Sequence, residues 1–267
     1  MGELSKAVVD NEEERTVINS ATDVTAHVPT IKNRTFNVNG VDFTMVAVEG
    51  GRFQMGSNDG YSDEKPLHDV TLDDYYIGET MVTLELWQAV MNETYNELTR
   101  DENVYSDSVI NVYPAYNMSY EDCIKFIDRL NRLTGEEFKL PTEAQWEFAA
   151  RGGLCSKKYR YSGSDDIGDV AWYCDNSGLK IHAVKGRKPN ELGIHDMSGD
   201  LWEWCFDSFF DYSSFPQTNP EIDRGNSSLR VLRGGGWDSL EEYCSVTYRG
   251  NDYPNCCSKR YGLRLAL

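Results

Sequence analysis

The sequence predicts an α+β domain with little regular secondary structure, in which short antiparallel strands are combined with two or three helices. Short runs rich in β-branched and aromatic residues occupy positions 36–38, 42–48 and 52–55, as expected of strands. Farther along, segments with helical spacing of apolar residues begin at residues that can cap a helix. After position 153, Gly, Ser, Asn and Asp become frequent, which indicates long loops held by short strands.

The residues between the first three runs predict how the strands are joined. Asn39-Gly40 and Gly50-Gly51 are typical of tight hairpin turns. An antiparallel meander is therefore the simplest arrangement. Residues 1–34 are polar and charged and lack an apolar period, so we expect a tail or an edge strand ahead of one domain over residues 35–267.

Three segments predict helices. They are residues 82–91 with Thr83 as N-cap, residues 119–133 with Ser119, and residues 142–150 with Thr142. The second helix is expected to bury one apolar face, made of Cys123, Phe126, Ile127, Leu130 and Leu133. Gly135 and the pair Gly152-Gly153 are expected to end the second and third helices.

The chain of 267 residues carries a formal net charge of −18. Because nucleic-acid binding needs clustered Lys and Arg, this charge argues against a nucleic-acid partner, and it disfavours anionic membrane surfaces. No apolar run approaches the roughly 18 residues of a transmembrane helix, so no membrane insertion is expected. Positions 1–30 lack the pattern of a secretory signal. The compartment stays open, and a secreted or cell-surface location is favoured where a leader has been removed.

Seven cysteines are present, and none belongs to a CxxC pair. This spacing excludes zinc-finger and thioredoxin-like sites. One or two disulfides or simple buried thiols remain as alternatives. A disulfide between Cys205 and Cys244 is one hypothesis.

The C-terminal segment, residues 230–267, is the expected ligand-binding part of the chain. Regular sequences stand at both of its ends, RVLRGGGW at 230–237 and YGLRLAL at 261–267. In positions 238–261, half of the residues are Tyr, Ser, Asn, Asp or Gly, a composition close to that of an antibody-type contact surface. Ordinary surface loops are the alternative, because the same small polar residues also serve turns.

Six motifs occur in the order expected of one family. They are GRFQMG (51–56), HDVTL (68–72), YIGETMVT (76–83), LPTEAQWE (140–147), NELGIHDMSGDLWEW (190–204) and RGGGW (233–237). On these motifs the chain resembles the sulfatase-modifying, formylglycine-generating enzyme domain family over residues 35–267. The resemblance implies a C-type-lectin-like fold. It does not by itself imply oxidase activity, since fold and function separate readily.

The oxidase members of that family bind copper with two cysteines five positions apart. On this chain the second cysteine falls on Cys244, whereas the first is replaced by Ser239. Because Cu(I) prefers thiolates and a hydroxyl is a poor ligand for it, we expect neither copper binding nor oxidase activity. An oxidase that recruits Cys256 or Cys257 is the rival hypothesis. A structural component of an envelope or particle is a third.

The C-terminal segment is also similar to that of variable proteins of diversity-generating retroelements, which carry diversified contact residues on this fold. Their fixed positions match Trp237, Cys244, Arg249 and the GLR sequence at 262–264. The resemblance implies a module that binds a protein or other surface ligand without catalysis. The implied contacts are Trp237, Asp238, Ser239, Tyr243, Ser245, Thr247, Asn251, Asp252, Tyr253 and Asn255.

The family's matching segment binds a structural Ca²⁺ ion. The resemblance implies that Asp196 and Glu203 would bind it through their side chains, and Gly199 and Leu201 through their carbonyl oxygens. Hard oxygen ligands of this kind suit Ca²⁺. The alternative is that Asp196 serves an ordinary turn and Glu203 an ordinary strand end.

Overall fold

The computed structural model describes residues 31–93, 112–225 and 228–267. The strands are β1 (Arg34–Val38), β2 (Val41–Val48), β3 (Gly51–Met55), β4 (His68–Leu72), β5 (Tyr75–Gly78), β6 (Trp202–Ser208), β7 (Gln217–Thr218), β8 (Arg230–Arg233), β9 (Gly250–Asp252) and β10 (Tyr261–Gly262). The α-helices are α1 (Leu84–Met91), α2 (Tyr120–Thr134), α3 (Glu143–Ala150) and α4 (Ile167–Val170). This mixture of short strands and few helices confirms the expected fold class. The predicted tail lies outside the described residues except at its last positions, 31–34.

The strands form three sheets, with the orders β1-β2-β5, β3-β4-β7 and β10-β6-β8-β9. The predicted hairpin at Asn39-Gly40 is confirmed, since both residues have positive φ and join the antiparallel strands β1 and β2. The predicted hairpin at Gly50-Gly51 is wrong, because β3 pairs with β4 and β2 pairs with β5. A Cβ at Gly50 would lie 2.3 Å from the carbonyl oxygen of Leu72. Glycine is therefore needed here for a close crossing between sheets.

The three predicted helices begin at the expected caps. The hydroxyl of Thr83 accepts from the amide of Leu86 at 3.2 Å. Ser119 and Thr142 cap α2 and α3 in the same way, and both take part in capping boxes. The apolar face of α2 is buried as far as Leu130, but Leu133 is 50% exposed. Its predicted burial is wrong because the last turn of the helix extends past the core.

The core lies in two large clusters of buried side chains. One surrounds α1 and α2, where the rings of Trp87 and Phe126 stack at 4.9 Å. The other surrounds α3, whose Trp146 is fully buried. Helix α3 also buries the acids Glu143 and Glu147. Buried carboxylates need partners that neutralise their charge, and the C-terminal segment supplies them.

All seven cysteines lie in the described ranges and are free thiols. The proposed Cys205–Cys244 disulfide is therefore wrong. The two side chains pack in different places, Cys205 in the cluster around α3 and Cys244 beside Tyr161 and Ile167. Within the described ranges, no helix has the length and apolar character needed to cross a bilayer.

Candidate ligand-binding site

Arg233, the last residue of β8, fixes the backbone of the C-terminal segment from its buried side. The guanidinium is completely buried and pairs with Glu147 of α3 at 2.5 Å. It also donates to three consecutive backbone carbonyls, those of Val246 (2.8 Å), Thr247 (2.8 Å) and Tyr248 (2.7 Å). These residues are thus fixed through their main chain, and this contact makes no demand on their side chains.

Arg249 fixes the same segment at its next residue. Its Nε and Nη2 donate to the two carboxylate oxygens of Glu143 at 2.6 and 2.8 Å. Such a bidentate pair constrains both distance and orientation. The Nη1 donates to the carbonyls of Asp63 at 2.8 Å and Phe210 at 2.9 Å. Arg249 therefore joins the C-terminal segment to α3 and to the loop that precedes β4.

The side chains of residues 245–247 lie in different surroundings. Val246 is buried in the cluster around α3. Thr247 lines a cleft of about 500 Å³, together with Ser245, which is only 8% exposed. The opposite wall of this cleft is the loop between β3 and β4. The lining residues are Ser57, Asp59, Gly60, Tyr61, Glu64, Arg160, Glu242, Ser245 and Thr247. The volume lies within the range of about 300–1,000 Å³ that is usual for ligand sites.

Tyrosine rings cluster at the edge of this cleft. The ring of Tyr248 lies 4.7 Å from that of Tyr243 and 5.3 Å from that of Tyr61, between centroids. Tyr61 is 49% exposed. Sequence reasoning named Tyr243 but missed Tyr248 and Tyr61. Tyr248 could have been found from the tyrosine-rich composition of its segment, whereas no local pattern marks Tyr61.

The indole of Trp202 supports the cluster from the protein side. Its ring centroid lies 5.8 Å from that of Tyr248. A Cβ on Gly250 would come within 2.7 Å of the same indole, so a side chain at this position would displace the ring. Trp204 is completely buried, while Trp202 is partly exposed.

The remaining implied contacts lie in two further groups. Trp237 and Asp238 follow the glycine turn, where Asp238 pairs with Arg260 at 2.6 Å. Ser239, in the same turn, is only 7% exposed, and its hydroxyl accepts from the amide of Gly236 at 2.8 Å. The structure thus places Ser239 as a turn residue away from the surface.

The second group lies on β9 and the turn that follows it. Tyr253 is 55% exposed, and Asn251 and Asn255 are also exposed. Asp252 is half-buried and accepts from the hydroxyl of Tyr261 at 2.8 Å. Of the implied contacts, the structure brings only Ser245 and Thr247 into the cleft lining, with Tyr243 beside them. Ligand contact by any of these residues stays a prediction.

Comparison with known proteins decides the family. Residues 34–267 match the sulfatase-modifying factor enzyme 1-like domain. The chain belongs to this family. A second comparison, with solved structures, identifies Treponema denticola variable protein 1 as similar, with a TM-score of 0.79 and 33% identity, covering 89% of this chain and 99% of that one. Both resemblances drawn from the sequence motifs are thereby confirmed.

Two curated relatives of this chain carry different names. Chaperone protein LppX of Paenibacillus barcinonensis is 32% identical, and the match covers 83% of this chain and 88% of that protein. The formylglycine-generating enzyme of Streptomyces coelicolor is 28% identical, with the same coverage of 83% and 88%. Membership of the family therefore does not decide between catalysis and binding.

The copper position of the family's oxidases has different chemistry in this chain. The Ser239 hydroxyl closes a turn, and Cys244 is completely buried. Burial, and then the neighbouring Cys174, raise the pKa of the Cys244 thiol to about 12. The thiol is therefore protonated at neutral pH, whereas the thiolate is the form that binds metals. Cys256 hydrogen-bonds to Asp252, and Cys257 is exposed.

Glu203, one of the implied calcium ligands, is held by a third buried arginine. Arg264 donates to both of its oxygens, with the shortest distance 2.7 Å. The indole of Trp146 donates to the second oxygen at 2.6 Å. Both oxygens are thus already occupied by donors. A calcium ion at Glu203 would have to displace part of this contact, so the carboxylate does not fit the implied role in this arrangement.

Asp196, another implied calcium ligand, is also engaged in a contact within the protein. Asp196 is buried and accepts from the amide of Lys185 at 2.8 Å. Gly199 and Leu201 are also buried. Across the described residues, no group of three or more His, Cys, Asp or Glu side chains is arranged to hold a metal ion. Calcium binding stays a prediction from the resemblance.

Proposed function

We propose that this chain is a non-catalytic binding protein that recognises a protein or other surface ligand through the cleft and its tyrosine cluster. The proposal rests on one observation: in residues 245–249 the backbone is held by buried contacts, while side chains line the cleft. Arg233 and Arg249 hold the backbone of this stretch from the buried side. Thr247 meanwhile lines the cleft, together with the largely buried Ser245.

The chemistry of the cleft suits recognition. Tyrosine supplies a large contact area with few torsions to immobilise, and serine and threonine supply adaptable hydrogen bonds. Tyr61, Tyr243 and Tyr248 already pack against one another, so part of the ordering that binding requires is present before a ligand arrives. The similarity to a variable protein of Treponema denticola supports the same function, with contact side chains that change while the framework stays fixed.

Selection from a library of random peptides tests the proposal. Peptides enriched on the wild-type chain should bind about ten-fold more weakly to a Thr247→Tyr variant, because the larger ring would occupy the part of the cleft beside position 247. A Thr218→Tyr variant is the matched control, since Thr218 is exposed on β7 and does not line the cleft. Isothermal titration of each enriched peptide gives the affinities. Peptides that bind Thr247→Tyr as tightly as wild type, or a library without enrichment, would refute the proposal.

Oxidase activity, the alternative function, is tested by a separate measurement. A cysteine-containing peptide incubated with the chain, Cu(I) and air should yield no aldehyde at its cysteine, because Cys244 is buried and position 239 offers a hydroxyl. Mass spectrometry of the peptide measures the outcome. Conversion of its cysteine into an aldehyde would show that the chain is an enzyme.

A further inference from the structure

The cleft carries negative charge that the protein does not neutralise. Asp59 and Glu242 line it from opposite walls, and neither takes part in an ion pair among the described residues. Glu64 adds a third carboxylate, which is buried and accepts from the amide of Tyr61. The one lining cation, Arg160, already lies 3.9 Å from Glu241, which is not part of the lining.

The pKa values of two tyrosines beside the cleft are raised, first by desolvation and then by neighbouring acidic groups. Desolvation, and then the carboxylate of Glu242, raise the pKa of Tyr61. Desolvation raises the pKa of Tyr248 to about 12, with smaller contributions from Tyr243 and Asp63. A phenol in a negative field resists ionisation, and the same field attracts a cation.

Aromatic rings next to carboxylates favour an organic cation. A guanidinium can stack on a tyrosine ring while its N–H groups donate to carboxylates. A metal ion would need several ligands close together, and no such group of three or more His, Cys, Asp or Glu occurs in the described part of the chain. The exposed ring of Tyr61 and the half-buried ring of Tyr248 are placed to contact a flat cation that enters beside Glu242.

We propose that the cleft binds a positively charged side chain of the partner, and that an arginine is its preferred occupant. This inference rests on the proposed function, because it names the chemistry that the ligand presents to the cleft. The guanidinium would lie between Asp59 and Glu242 and against the tyrosine cluster. Specificity would then come from charge and aromatic contact at one anchor, with the surrounding contacts left free to differ.

Titration with small probes tests this inference without a known partner. N-acetyl-arginine amide is compared with N-acetyl-citrulline amide, which has nearly the same shape but no charge, and with N-acetyl-lysine amide. We expect the arginine probe to shift the NMR amide signals of residues 57–64 and 242–248. It should bind at least about three-fold more tightly than citrulline, and more tightly than lysine. Equal shifts from citrulline, or none from arginine, would overturn the inference.

Single-charge variants localise the effect. Glu242→Gln should weaken arginine binding by about 1.5- to 5-fold, the range for one exposed charge pair. Glu137→Gln removes the same charge at an exposed position outside the lining and should leave binding unchanged. Equal effects of the two variants would contradict a site at the cleft. Thermal melting of both variants verifies that the fold is intact.

The peptide library separates this inference from the proposed function. Enriched peptides whose binding is weakened by Thr247→Tyr should contain an arginine. Replacement of that arginine by citrulline should lower their affinity by about three-fold or more. Peptides that need Thr247 but lack basic residues would overturn the cationic inference and leave the proposed function standing. Peptides that bind the Thr247→Tyr variant as tightly as wild type would overturn the proposed function itself.

Discussion

The buried side and the cleft side of the C-terminal segment use different kinds of contact. On the buried side, Arg233 and Arg249 are tied to carboxylates and to backbone carbonyls of distant segments. On the cleft side, Thr247 lines an open volume. Stability and recognition therefore depend on different atoms of the same few residues. Substitutions on each side should therefore differ sharply in their cost.

The largest expected effect is that of Arg233→Met. Methionine cannot donate to the three carbonyls, and Glu147 would lose a partner while it remains buried. Burial alone acts to raise the pKa of Glu147, but the charges of Arg151 and Arg233 hold it below its ordinary value. We expect a loss of about 3–5 kcal/mol in the free energy of unfolding, as for other broken buried pairs, measured by urea denaturation.

The control for that variant is Arg260→Met. Arg260 also makes an ion pair, with Asp238, but its side chain is 56% exposed. Exposed pairs contribute about 0–1 kcal/mol. A loss for Arg233→Met no larger than for Arg260→Met would contradict the framework role of the buried arginine.

Thiol reactivity gives the next largest effect. With its pKa raised to about 12 by burial, Cys244 has a thiolate fraction about 10³-fold below that of an ordinary thiol of pKa about 8.5. At pH 8 we expect iodoacetamide to leave Cys244 unmodified in the folded protein and to alkylate the exposed Cys257. Peptide mapping by mass spectrometry measures this, and unfolding in urea should make both react. Rapid labelling of Cys244 in the folded state would contradict its buried, protonated state.

Substitutions at two adjacent residues, Val246 and Thr247, should differ by an intermediate amount in their effect on the free energy of unfolding. Val246 is 2% exposed, so Val246→Ala should cost about 2 kcal/mol through lost burial and a small cavity. Thr247→Ala should change stability by about 0.5 kcal/mol or less, because its side chain faces the cleft. Urea denaturation of both variants provides the comparison. Similar losses in the free energy of unfolding for the two variants would show that Val246 and Thr247 do not differ as core and surface residues.

Local signals in the sequence were sufficient for part of the fold. The caps at Thr83, Ser119 and Thr142 and the turn at Asn39-Gly40 depend on neighbouring residues alone. The two glycines at 50–51 were misinterpreted, because a hairpin turn and a crossing between sheets require the same freedom from a side chain. Which strand β3 joins is decided by distant pairing, which no short pattern encodes.

Only the cleft residues that lie in the C-terminal segment could be predicted from the sequence. The resemblance named Ser245 and Thr247, and the structure places both in the cleft. Tyr61 was missed because the loop that contains it has no pattern of its own and reaches the C-terminal segment only in the folded chain. Glu147 was likewise treated as part of a helical motif. Its pairing with Arg233 spans 86 positions and becomes visible only in three dimensions.

The most direct test of the central claim replaces several surface residues at once. A variant with Tyr243→Ser, Thr247→Asn, Asn251→Ser, Tyr253→Ser and Asn255→Ser changes only half-buried or exposed positions. Its free energy of unfolding, measured in urea, should fall by less than about 2 kcal/mol in total, and therefore by less than that of Arg233→Met alone. A loss equal to or greater than that of Arg233→Met would show that these side chains hold the fold, and would contradict a framework that carries interchangeable contacts.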